Sequence, residues 1–434
     1  MKTFRFELGV FTLSAVLLLP EQAFAYLDPG TGNALVYGLI SLASVGAYAM
    51  KSAFYWLIRK KNHEQPSSAT QAEGLPSLLI YSEGKNYWGT FRPIVETLIE
   101  RKILFRYWTQ DIHDPALLID SEYMDSRYIG NGSRSWFKLN SAQADIMLAT
   151  TPNIGTPGYP MIRSPKVGRL IHVWHSIGDF AYAWYHKGGL DSYDEVLTAG
   201  TYMDAQIRLL EQKRGLPEKK LTPCGVPYLD GMVASVREAS DEAPAPDGKT
   251  ILVAPSWGNK GCLNVYGVNF IADLARAGFS VIVRPHPQSL KVEKALFDSF
   301  KEQLAAFPSV SWDEGVDGSA SMRKAALLIS DTSSVRMDFA LLYERPVITL
   351  EMPLADLSEY EYDELKPLLE QSSMELEIGS RAGKADISRM PEVVQATLSA
   401  HSSRDFAAIR NKYVAHFGRS GEAVAVYLIT QLAK

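Results

Sequence analysis

The chain has 434 residues, too many for one ordinary core and suited to two domains with additions. Apolar residues make up 46% and charged residues 21%, the balance of a folded chain, and a net charge of −5 supplies no global basic field for nucleic acid. Cys224 and Cys262 form no CxxC pair, which removes a zinc ribbon or a disulfide framework from consideration.

Lys2 and Arg5 precede an apolar run from Leu8 to Leu19, and Ala23-Phe24-Ala25 is a small-x-small pattern that suits signal peptidase. Residues 1–25 therefore read as a signal peptide or a first anchor. The Pro- and Gly-bearing stretch 26–33 reads as an external turn. From Ala34 to Ile58 the only charge is Lys51, so 34–58 is expected to span a bilayer. Tyr55 and Trp56 suit its interfacial end, and Arg59-Lys60-Lys61 put the following chain on the cytoplasmic side. Residues 59–75 have a linker's polar composition. The expectation is a single pass through the inner membrane after signal cleavage, with the remainder cytoplasmic.

From residue 76 strands and helices alternate. Leu78–Tyr81, Ile103–Tyr107, Asp145–Ala149, Arg169–Val173 and Glu195–Thr198 read as strands. Phe91–Arg101 and Met203–Gln212 read as helices. A charged, Pro-bearing stretch at 237–249 reads as an interdomain linker. A second alternation follows, with strands at Thr250–Ala254, Phe279–Arg284, Ala325–Ser330 and Pro346–Leu350, and a helix over Tyr266–Ala277. This pattern predicts an α/β protein with two Rossmann-like domains, 76–236 and 250–434, facing a cleft. Ligands in open α/β sheets bind beyond the carboxyl ends of the strands.

The residues just past those strand ends carry the chemistry. Trp174-His175-Ser176-Ile177-Gly178-Asp179 follows one strand, Pro255-Ser256-Trp257-Gly258 another and Arg284-Pro285-His286-Pro287 a third. Ser330-Asp331-Thr332-Ser333-Ser334 opens a helix. A helix N-terminus with hydroxyl groups beside it is a phosphate cradle, so Asp331, Thr332, Ser333, Ser334, Ser256 and Arg284 are candidate donor-site residues. His286 is a candidate catalytic proton donor or shuttle, and His175, on the opposite domain, a candidate general base for an acceptor hydroxyl. Asp179 is a candidate to orient His175 or touch the acceptor. His172 lies inside its strand and reads as a core residue, while His63, His113, His186, His401 and His416 have no constellation around them. The chain has neither a G-x-S-x-G elbow nor a P-loop. No carboxylate cluster demands a metal, and no cofactor is expected.

Taken together, Trp174-His175, "APSW" at 254–257, "RPHP" at 284–287, "SDTSSVRMDFALL" at 330–342, "RPVI" at 345–348 and "CGVPYLD" at 224–230 resemble the motifs of the CDP-glycerol glycerophosphotransferases, in order and spacing over roughly 78–360. The resemblance implies a bacterial, membrane-anchored transferase of GT-B type. It would use CDP-glycerol or a similar CDP-alditol and act on an envelope glycan or lipid-linked acceptor. It also implies a structural or ribose-facing role for Asp338. Two places differ from the family pattern. Ser176-Ile177-Gly178-Asp179 stands where "GTPLK" is common after the histidine, and Gly258 stands where an arginine is frequent. A sugar-nucleotide glycosyltransferase of the same fold and an inactive assembly protein on this scaffold are the alternative readings.

Overall fold

The computed structural model describes residues 77–433 apart from 179, 184, 241–246, 260, 316–317, 354–357, 370–373 and 402–403. The leader, the candidate span 34–58, the linker 59–75 and Asp179 lie outside the described residues. Among the described residues no helix is long and apolar enough to cross a membrane.

Among the described residues the strands form two parallel sheets. The first contains β1 (Leu78–Ser82), β2 (Phe105–Thr109), β3 (Met124–Tyr128), β4 (Ala144–Ala149), β5 (Val167–Val173), β6 (Glu195–Thr198) and β7 (Lys220–Pro223), in the order β3-β2-β1-β4-β5-β6-β7. The second contains β8 (Thr250–Val253), β9 (Ser280–Val283), β10 (Val310–Trp312), β11 (Leu327–Ser330), β12 (Val347–Leu350) and β13 (Gly379–Ala382), in the order β10-β9-β8-β11-β12-β13. Central strands such as Leu78–Tyr81 and Leu327–Ile329 are buried, as expected of strands covered on both faces. The chain order reverses between β1 and β4 and again between β8 and β11. These are the switch points where crevices open.

The strands that sequence reasoning passed over are β3, β7, β10 and β13. All lie at or next to an edge of a sheet and carry polar or short sequences. The expected helix at Tyr266–Ala277 is two pieces, Cys262–Tyr266 and Asn269–Arg276. Gly267, at φ 66°, ends the first in a left-handed conformation that favours glycine. The helix Tyr228–Ser240 runs four residues into the expected linker 237–249.

The end of the chain returns to the first sheet. The last helix, Ser420–Leu432, packs on Trp88–Glu100, the helix whose Phe91, Ile94, Val95 and Leu98 fill the core beneath it. Gly421 permits this approach, because a Cβ there would lie 2.4 Å from Pro93 Cβ. Arg169 of β5 donates to the Gln431 side chain and carbonyl at 3.0 and 2.9 Å, and Tyr427 bonds Glu195 of β6. The region 250–434 thus closes over the first sheet at its end. One apolar cluster runs through both halves, with Leu229 and Val233 of the first beside Met337 and Leu342 of the second.

Candidate active site

The carboxyl ends of β8 and β11, at the switch point of the second sheet, are tied together by one side chain. Asp331 is fully buried and accepts from the Ser256 amide at 2.9 Å, the Ser256 hydroxyl at 2.5 Å, the Cys262 amide at 2.8 Å and the Ser333 amide at 3.3 Å. A carboxylate so placed ties the loop after β8 to the loop after β11 and spends its oxygens on donors of the protein. Ser256 spends both its donors on Asp331. It therefore lines the site without offering a proton to a phosphate. Gly261 is required beside it, since a Cβ there would meet the Ser256 carbonyl at 2.3 Å.

Thr332, Ser333 and Ser334 then lead into the helix Val335–Tyr343. The Ser333 hydroxyl oxygen accepts from the Val335 amide at 3.4 Å, which leaves its O–H available to donate. Arg336 is buried and holds the loop from below, bonding the Ser333 carbonyl at 2.9 Å, Thr349 at 2.9 Å and Glu375 at 2.5 Å.

A second carboxylate organises the loop after β9. Glu293 accepts from the Gly258 amide at 3.0 Å, Asn264 at 2.8 Å and Ser289 at 2.7 Å. Burial opposes its charge, and these donors nonetheless hold it below the usual carboxylate range. Gly258 adopts φ 78° while donating to Glu293, which gives a physical reason for glycine where the family often has arginine. His286 Nδ1 accepts from the Gln288 amide at 3.1 Å. That bond puts the ring proton on Nε2, and burial holds the imidazole below its usual pKa against the charges of Asp331 and Glu293. Trp257, half exposed, stacks on His286 with ring centroids 6.4 Å apart.

Arg284 does not join this group. Val283 and Trp312 are partners in the β9–β10 ladder, so Arg284 and Asp313 emerge side by side. The guanidinium pairs with Asp313 at 2.8 Å, and Ser321 donates to the same carboxylate at 2.5 Å. Arg284, expected at the phosphate, is thus engaged by Asp313 and is not among the residues that line the cavity.

In the first half, β5 delivers two histidines. His172 is fully buried, with Nε2 3.1 Å from the Thr150 carbonyl and 3.2 Å from the Tyr185 hydroxyl. Burial, then the neighbouring His175, push its pKa down to about 3. His175 follows the strand end and packs edge-on against Tyr87 at 5.4 Å between centroids. Burial pushes it down to about 4, so it is neutral at physiological pH, and its buried Nδ1 has no hydrogen-bond partner among the described residues.

The two edges share a cavity of about 470 Å³. His175 and Tyr185 line it from the first half. Ser256, Trp257, His286, Thr332, Ser333 and Ser334 line it from the second, together with Tyr360, whose ring stacks on His186 at 4.8 Å. Six sequence-selected residues therefore meet: His175, His286, Ser256, Thr332, Ser333 and Ser334. Asp331 lies beneath them and Arg284 to one side. Trp257, Tyr185, Tyr360, Arg336 and Glu293 went unselected. Trp257 stood inside a quoted motif and its exposure was the missing signal, whereas Glu293 sits at the junction of the helices Ser289–Val292 and Lys294–Leu304 in an ordinary charge pattern that marks nothing.

The family model described as CDP-Glycerol:Poly(glycerophosphate) glycerophosphotransferase matches residues 78–366, which contain every lining residue of the cavity. The chain belongs to this family. It is accordingly a transferase enzyme, and the two parallel Rossmann-like sheets are its GT-B-type scaffold. Among solved structures, this transferase is similar to UDP-GlcNAc 2-epimerase from Neisseria meningitidis bound to UDP-GlcNAc, at 12% identity and TM-score 0.54, covering 83% of this chain and 100% of that one. It is also similar to a putative UDP-N-acetylglucosamine 2-epimerase from Listeria monocytogenes, at 12% identity and TM-score 0.52, covering 83% and 97%. These likenesses concern the fold alone. A search of curated proteins returns no match.

Asp338, given a structural or ribose-facing role by the resemblance, accepts from the Tyr228 hydroxyl at 2.5 Å. Burial raises its carboxyl to about 6. The bond links the helix Tyr228–Ser240 to Val335–Tyr343 and serves the junction of the halves. Among the described residues no group of His, Cys, Asp or Glu is arranged to hold a metal ion.

Proposed function

We propose that the enzyme moves glycerol phosphate, or another alditol phosphate, from a CDP-activated donor to a hydroxyl of an envelope glycan or lipid-linked polymer, with release of CMP. The observation that carries this reading is the facing of His175 and the His286–Ser333 edge across one cavity. His175 is neutral and accepts the proton of the acceptor hydroxyl as its oxygen attacks the phosphorus that bears the alditol. The bond from that phosphorus to the bridging oxygen breaks, and CMP carries the electron pair away. His286 donates through Nε2–H to the leaving phosphate. The hydroxyls of Thr332, Ser333 and Ser334 bond the phosphate oxygens at the helix N-terminus, where developing negative charge is stabilised. Trp257 offers an exposed ring on which the cytosine stacks.

The segment 34–58 anchors the enzyme in the membrane, and Arg59-Lys60-Lys61 hold the catalytic halves on the cytoplasmic side. Donor choice is tested by incubating the full chain in detergent with CDP-glycerol, CDP-ribitol and UDP-GlcNAc in the presence of a glycerol phosphate primer, and reading the released nucleotide. CMP release is expected. UDP release from the sugar nucleotide, with the CDP donors untouched, contradicts the proposal.

A further inference from the structure

Away from the cleft, the chain crosses between the halves a second time at residues 410–420. There a hollow of about 400 Å³ is lined by Arg237, Arg410, Asn411, His416, Phe417 and Arg419, among others, and among the described residues by no carboxylate. Arg237 stands on the helix Tyr228–Ser240. Arg410 stands on Phe406–Tyr413, and Arg419 at the start of the last helix. The cations thus come from segments on both chain crossings.

The hollow is held in shape by contacts around it. Arg410 bonds Glu344 at 2.6 Å and lies over the Phe417 ring at 4.8 Å, so its guanidinium is fixed in advance. His416 adopts φ 49°, a left-handed conformation rare for histidine, with its carbonyl accepting from the Arg419 amide at 2.8 Å. Such backbone strain persists where the surroundings impose it and concentrates at functional sites. Asp230 already caps the last helix, accepting from the Ser420 and Gly421 amides at 3.0 and 2.7 Å. The anion-attracting power of the hollow therefore lies in its side chains and not in that helix terminus.

We infer that this hollow binds the phosphate group of an anionic ligand, and that the bound anion bridges the two crossings. Guanidinium forks match phosphate oxygens in pairs. Three arginines and a histidine around a space larger than one phosphate suit a ligand with two or more phosphate groups. A phosphate spanning Arg237, Arg410 and Arg419 ties the helix that leaves the first sheet to the segment that returns to it. The inference does not rest on the transfer reaction. Two sources share the chemistry, a free small phosphate and a phosphodiester chain, and the ligands below separate them.

Pyrophosphate is titrated calorimetrically into the full chain with CDP present at saturation, so that the cleft is filled. The wild type is expected to bind at one further site. Arg419→Glu, at an exposed position, is expected to weaken that binding at least about tenfold, the scale of a hydrogen bond to a charged group. Arg92→Glu, on the outer face of Trp88–Glu100, leaves it unchanged. Pyrophosphate should also raise the Tm of the wild type and not that of Arg419→Glu. A glycerol phosphate oligomer that binds more tightly than pyrophosphate identifies the phosphodiester chain as the source, and the reverse order identifies the free anion. Equal binding by wild type and Arg419→Glu overturns the inference, as does no binding at millimolar pyrophosphate. The CDP titration in the same samples reports on folding and on the cleft separately, and if CDP does not bind, the wild-type and Arg419→Glu comparison still decides.

Discussion

The carboxyl edges of the two sheets are built in opposite ways. On the second, three carboxylates are saturated with donors from the protein: Asp331 knits the ends of β8 and β11, Glu293 ties the loops after β8 and β9, and Asp313 takes up Arg284. On the first, buried polar atoms at the strand ends, among them His175 Nδ1, Trp174 Nε1 and Thr150 Oγ1, find no partner among the described residues. Buried polar groups are ordinarily paired, and leaving them unpaired costs about 1–3 kcal/mol each. The second edge is therefore tied together by the protein's own groups, although the buried Asn264 Oδ1 there has no partner among the described residues. On the first, His175 alone of these three residues lines the cavity, while Trp174 and Thr150 are fully buried beneath it. Under the proposed function, the second edge is the seat of the CDP-activated donor and the first receives the acceptor hydroxyl.

The contrast can be broken most severely at His175. His175→Ala should lower kcat about 10²–10⁴-fold, the usual contribution of a positioned base, in a CMP-release assay. His172→Ala is the matched control. It removes a fully buried ring and should lower Tm, with activity per folded molecule retained. A stable, inactive His172→Ala beside an active His175→Ala would exchange the roles of the two rings. Next in size is Asp331→Ala, which releases the loops after β8 and β11 and strands four donors. CDP affinity should fall about 100-fold, equivalent to about 2.7 kcal/mol. Asp331→Asn, which keeps one acceptor oxygen, should fall between. Unchanged CDP binding in Asp331→Ala would mean that the second edge is not preformed.

The two histidines also predict acid sensitivity. Their folded pKa values, about 3 and about 4, lie below the unfolded value near 6.5, so the unfolded chain binds more protons in between. Their contribution is intact above pH 6.5 and is lost as pH falls toward 4. Between pH 6.5 and 5 the pair should remove about 3 kcal/mol, read from urea midpoints. A His172→Gln, His175→Gln double variant should flatten that slope, and an unaltered slope would contradict the burial assigned to both rings. The smallest effect concerns Asp338. Its carboxyl is raised to about 6, so stability declines as pH rises from about 4 through 6. Asp338→Asn preserves an acceptor for Tyr228 and should raise stability at pH 7 by about 1–2 kcal/mol. A loss instead would show that the charged form is the stabilising one.

Much of this site was legible because function concentrates at strand ends and strand ends follow apolar runs. Runs such as Leu327–Ile329 announce themselves, and the residues past them, Ser333 and His286 among them, could be selected by chemistry alone. Two kinds of information could not be obtained that way. Direction was one: Arg284 and Asp331 stand where a ligand contact would, yet one pairs with Asp313 and the other points beneath the loop toward Ser256 and Cys262. Tertiary closure was the other: nothing in the pattern of Ser420–Leu432 shows that it packs on Trp88–Glu100 and not on the second sheet. The polar strands β3, β7, β10 and β13 escaped because at or near a sheet's edge the apolar signal fades. His416 gained its arginine neighbours only through the same return of the chain.

The proposal that the second edge seats the donor and His175 of the first serves the acceptor is tested most directly by titrating CDP into His286→Ala and His175→Ala side by side. The account predicts a loss of about tenfold in affinity for His286→Ala, the scale of one charge-assisted hydrogen bond, and a change within about twofold for His175→Ala. Weakened CDP binding in His175→Ala with His286→Ala at wild-type affinity would contradict it.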